Sequence, residues 1–108
     1  MNAETSYNGW TNYQTLVVNL WLDNDGYHEA SRDDLEERLR DGEPAADVVA
    51  GYAEMMEMAA EEMQPEVTGM YADLLGQALG MVDWREIAES VVGDLAQGLA
   101  DVLADLAE

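Results

Sequence analysis

Residues 83–108 read DWREIAESVVGDLAQGLADVLADLAE, and this stretch decides the fold class. At about 100° per residue, Trp84, Ile87, Ala88, Val91, Val92, Leu95, Leu99, Val102 and Leu106 share one face. Asp94, Asp101, Asp105 and Glu108 line the other. A strand, with its period of two, would scatter that set over both faces. Asp83 is placed as an N-cap with Glu86 at the third helical position. Gly93 and Gly98 each weaken such a helix by about 1 kcal/mol relative to alanine, so a kink or break is expected near them.

The same period runs upstream. Gly80 closes a fourth helix over about 66–79, whose stripe is Val67, Met70, Tyr71, Leu74, Leu75 and Ala78. Gly69, Ala72, Gly76 and Gly80 lie opposite, as a thin solvent face or as a seat for another backbone. A third helix starts at Pro44, a residue favoured at the first helical position, and stops at about Met63 before Pro65. Its apolar face is Ala45, Val48, Val49, Tyr52, Met56, Ala59 and Met63; Asp47, Glu54, Glu57 and Glu61 face away. A second helix within 27–40 ends before Gly42. With only Leu35 and Leu39 as its apolar edge it is expected on the surface, laced by the pairs Asp34–Arg38 and Glu36–Arg40. The first helix runs from Tyr13 to about Asp23, with Thr11 as N-cap and Gln14 reaching back to it. Its residues are apolar nearly all round, which predicts a buried helix. The run Leu16–Leu22 also suits a strand, and that alternative stays open. Asn8-Gly9 is a turn signal in a polar lead-in. The expected fold is therefore all-α: one compact, bundle-like domain of about five helices over 1–108, with a flexible lead-in at 1–10 and a helical extension at 93–108.

Charge bounds the function classes. There are 24 acids against 4 arginines and no lysine, a net charge of −20. Residues 41–108 hold 16 acids and a single arginine. So much like charge destabilises a compact state unless salt screens it; the screening length falls from about 10 Å at 0.1 M to about 3 Å at 1 M. A halophilic cytoplasm fits this composition. The rival reading is a DNA mimic whose carboxylates stand in for phosphates, with Asp47, Glu54, Glu57 and Glu61 as the mimic face. Direct nucleic-acid binding needs a basic patch that is lacking. The chain has no cysteine and no apolar run near the ~20 residues that span a bilayer. Its N-terminus lacks the pattern of a secretion signal.

The usual catalytic and metal sets are missing as well. His28 is the sole histidine, too few for a zinc pair, and reads as an incidental turn residue. Ser6, Ser31 and Ser90 lack a Gly-x-Ser-x-Gly elbow. Setting Gly26 at the sixth place of a calcium loop puts Trp21 at the first ligand and Arg32 at the twelfth, so that motif fails. Asp33, Asp34, Glu36 and Glu37 point several ways on a helix and read as a solvated face. No catalytic residue, metal site or cofactor is expected. The candidate partner contacts are Trp10, Tyr13 and Trp21, from a cluster otherwise read as core, and Met55 and Met58, because methionine surfaces re-pack around varied partners.

Two segments resemble one family. Tyr7-Asn8-Gly9-Trp10-Thr11-Asn12-Tyr13 with Asn19-Leu20-Trp21-Leu22-Asp23-Asn24, and Ala72-Asp73-Leu74-Leu75 through Val82-Asp83-Trp84-Arg85-Glu86-Ile87-Ala88-Glu89, are similar to the opening and closing blocks of small uncharacterised proteins of phages, plasmids and archaeal mobile elements. The family usually has Glu at Gln14 and Trp at Leu16. The resemblance implies a genetic context and brings no mechanism or catalytic residue. The expected function is that of a non-enzymatic accessory protein of a haloarchaeal mobile element or virus, acting by contact with an unknown protein partner. The alternative is an acidic DNA-mimic inhibitor of a host nuclease or other DNA-binding protein. The two family blocks are expected to pack together, and the long final stripe offers a seam for a homodimer through the C-terminal helix.

Overall fold

A computed structural model describes residues 7–107. Among the described residues five helices follow one another: α1 Tyr13–Asn24, α2 Tyr27–Arg40, α3 Ala45–Met63, α4 Met70–Gly80 and α5 Trp84–Ala107. No strand occurs among the described residues, so Leu16–Leu22 is helical. Tyr7–Gly9 form a turn closed by Trp10 N–H on Tyr7 C=O at 2.9 Å, with Asn8 and Gly9 both at positive φ. Trp10 packs against the core, so the lead-in is built in from Tyr7 onward; the expectation of flexibility at residues 1–6 lies outside the described residues.

The core is a long α3–α5 contact with α2 laid against both. Val48, Val49, Tyr52 and Met56 meet Trp84, Ile87, Ala88 and Val92, and Leu22, Leu35 and Val82 complete the cluster. Two expectations about the early helices change here. Although α2 is polar, Leu35 is fully buried and Tyr27 and Leu39 pack beside it, so three side chains are enough to fix the helix in the bundle. On α1, by contrast, Thr15, Leu16 and Leu22 are buried, while Tyr13, Leu20 and Trp21 face outward. The helix is apolar all round, yet only one side finds a neighbour.

Ends and pairs also differ in detail. Pro44 takes the N-cap position with extended ψ, one residue before the helix. Gly42, at φ +92°, ends α2 in a Schellman turn, with Glu43 N–H on Arg38 C=O at 3.1 Å. That turn folds Glu43 back over the last coil, so Arg38 forks onto Glu43 at 2.7 and 2.9 Å instead of pairing with Asp34. Glu36 does hold Arg40, and Arg32 as well. Both arginines hold its carboxyl below the usual range. Gly93 and Gly98 do not interrupt α5, which is continuous to Ala107. The glycines of that row seat no backbone: a Cβ at Gly69, Gly76 or Gly80 would find open space, and Gly76 and Gly80 border an open cleft towards α3.

Candidate functional site

Two short polar stretches hold α1 against the start of α5. Asn12, not Thr11, caps α1: its Oδ1 accepts the Thr15 N–H at 2.9 Å and the Thr15 hydroxyl at 2.7 Å. Its amide donates to Met81 C=O at 2.6 Å. Asp83 caps α5 through the Glu86 N–H at 3.0 Å. In a self-contained capping box Glu86 would reach back to Asp83 N–H. Here the partners are exchanged between helices. Asp83 N–H donates to Thr15 Oγ1 at 2.9 Å, and Glu86 accepts Thr11 N–H at 3.0 Å. Thr11 is thereby drawn away from capping its own helix. The two segments expected to pack together do so through this exchange.

The clamp sets α1 beside the C-terminal end of α4, and a groove of about 270 Å³ opens between them. Tyr13, Gln14, Val17 and Val18 form one wall; Ala78, Leu79 and Val82 form the other and the floor. No charged residue lines it. The apolar surface continues along both helices. Leu20 and Trp21 follow Val17 on the same side of α1, and Tyr71 and Leu74 precede Ala78 on the same side of α4. All are exposed, Tyr13 by 59% and Trp21 by 66%. The stripe of α4 expected to reach the core contains no buried residue. Leu79 packs against the core, and a second cleft of about 260 Å³ separates α4 from Glu57, Ala60, Glu61 and Gln64 on α3. The helix thus stands between two clefts, anchored near its C-terminal end.

The predicted contact residues divide accordingly. Tyr13 lines the groove and Trp21 extends its wall. Trp10 is half-buried against the core. Met55 and Met58 are exposed on α3, outside the groove lining. Asp47, Glu54, Glu57 and Glu61 are exposed along α3. Val17, Leu74 and Ala78 were not singled out in the sequence, where they read as interior stripe.

A further cleft, open and about 470 Å³, is polar: Asn19, Asp23, His28, Glu29, Arg32, Ser90 and Asp94 border it with Val91 and Leu95. His28 is no incidental turn residue. Its Nδ1 lies 2.6 Å from the Tyr52 hydroxyl and its Nε2 3.0 Å from Asn19 Oδ1. A neutral ring that donates from Nε2 and accepts at Nδ1 satisfies both contacts, leaving no lone pair to take a proton from a ligand. Burial pushes His28 below its usual range, against the opposing pull of Asp23. Burial also raises Tyr52 to about 12. A phenol in the middle of a core stripe needs a partner for its hydroxyl, and that was the available sequence signal for this pair. Among the described residues, no cluster of three or more His, Asp or Glu is placed to hold a metal ion, and no helix is long and apolar enough to cross a membrane.

No family model, curated protein or solved structure matches the chain.

Proposed function

We propose that this chain is a non-enzymatic accessory protein of a haloarchaeal mobile element or virus, and that it works by presenting the α1–α4 groove to a protein partner. One observation carries the contact reading: an uncharged apolar groove whose margin exposes a tyrosine and a tryptophan. Tyr and Trp supply a large share of binding energy where they seat in a partner's pocket. Exposed apolar surface of this extent marks a contact site more often than chance exposure does.

The distribution of charge supports salt adaptation as the role of the acids. Five lie on each of α2, α3 and α5, and one each on α1 and α4. A mimic of a phosphate backbone concentrates its carboxylates on one surface, whereas these cover three helices.

Affinity capture from a native extract in molar salt tests the reading. Wild-type bait should retain a protein that a Trp21→Asp bait loses and a Glu54→Gln/Glu57→Gln/Glu61→Gln bait keeps. Loss from the neutralised bait, or displacement by added duplex DNA, would refute the groove and favour mimicry.

A further inference from the structure

The second apolar surface left bare is the end of α5. Its stripe packs against the core as far as Leu95 and Leu99 is half-buried, but Val102, Leu103 and Leu106 are exposed, Leu106 by 78%. The helix outruns its neighbours and the chain is extended: the radius of gyration is 16.2 Å, against about 13 Å for a compact domain of this length. A projecting helix of two or three turns is marginal in water unless its apolar face is covered.

We infer that the last turns of α5 from a second copy occupy the α1–α4 groove, reciprocally, so that the protein is a two-fold dimer. This rests on the reading of the groove as a contact surface and names its occupant. A chain cannot fill its own groove. Val82 floors the groove just before α5 begins, and Val102 lies about 27 Å along a rigid helix from Trp84. The dimensions agree: Leu99 to Leu106 spans about 10 Å of helix, and Tyr13 to Trp21 about 12 Å. The anchors Leu99, Val102, Leu103 and Leu106 have the spacing of a helix seated in a groove.

Charge allows this occupant. A like-charged copy is repelled most by α3 and α5, at net −5 and −4, less by α2, whose three arginines leave it at −2, and least by α1 and α4, at −1 each. On the tail, Asp101 lies opposite the stripe and Asp105 at its edge. A basic partner would gain little in an uncharged groove. Area favours reciprocity. Each tail offers on the order of 350 Å² of exposed apolar surface, and the groove with its exposed margin of Tyr13, Leu20, Trp21, Tyr71 and Leu74 about as much, so two fully seated contacts bury at most roughly 1,400 Å², inside the range of stable interfaces. Tail against tail would bury about half of that, below the range.

Sedimentation equilibrium of the full chain in about 3 M KCl, where charge is screened, tests the proposal. Wild type should show twice the monomer mass. Val102→Asp/Leu106→Asp and Val17→Asp should each raise the dimer Kd by about a hundredfold, with helicity by circular dichroism unchanged. Trp21→Ser, at an exposed position, serves if Val17→Asp disturbs the fold. A wild-type monomer at roughly 100 µM would overturn the second copy as occupant and leave the groove itself to the capture experiment. A groove variant that dimerises like wild type while the tail variant does not would overturn the geometry in favour of tail-to-tail pairing.

Discussion

Replacing Thr15 by valine isolates the hydroxyl that joins α1 to α5. Thr15 is completely buried. Its Oγ1 accepts from Asp83 N–H and donates to Asn12 Oδ1. Valine nearly preserves the shape but leaves Asp83 N–H without that acceptor and removes one of the bonds that orient the α1 cap. A buried amide left unpaired costs about 1–3 kcal/mol, and a lost neutral hydrogen bond about 1. The net destabilisation is therefore about 2–4 kcal/mol, a fall in Tm on the order of 10–20 °C for a domain of this size. Thr15→Ser keeps the hydroxyl and loses one methyl, costing about 1 kcal/mol. Thermal and urea unfolding by far-ultraviolet circular dichroism in molar KCl gives both values. A double-mutant cycle with Asn12→Ala should show coupling of about 1 kcal/mol or more, because the two side chains bond directly. A valine variant within about 0.5 kcal/mol of wild type, or a serine variant less stable than the valine one, would refute the account of the exchanged caps.

Lowering KCl from molar to about 50 mM should cost helix and stability, because screening of the −20 charge is lost; full helicity at low salt counts against salt adaptation. The sole histidine gives a resolved NMR titration, whose midpoint should fall below 6.5 in the folded protein. Its depressed value adds stability above pH 6.5 that is lost as pH drops through the folded midpoint, and Tyr52→Phe, which removes the Nδ1 partner, should shift that midpoint. Gly93→Ala should raise stability by about 0.5–1 kcal/mol in chemical denaturation, since α5 is unbroken there and a methyl meets open space.

Much of the fold was legible in the residues. Apolar side chains at helical spacing placed α3 and α5 closely, and Val48, Val49, Tyr52, Met56, Ile87 and Val92 are the core they announced. Gly42 and Pro65 ended α2 and α3 where expected, because their backbone limits are local, whereas Gly93 and Gly98 did not break α5. Other parts were not legible. The His28–Tyr52 bond spans 24 residues and the Thr15–Asp83 bond 68, and nothing near either residue marks the other. The interior look of α1 and α4 misled for a related reason: periodicity shows which face can be buried, not whether a neighbour arrives to bury it.

The sequence alone determined a predominantly helical class, the order of the helices after the first, the approximate bounds of α2, α3 and α5, and an acidic exterior. These follow from backbone propensity and side-chain period, which act over a few residues. Tertiary structure alone decided that the two N-terminal caps are exchanged, that His28 is bound at both nitrogens, and that α4 and the end of α5 remain uncovered. Those outcomes depend on which surfaces meet across the chain. With three helices already satisfying one core, the remaining apolar faces had no partner left within the same molecule.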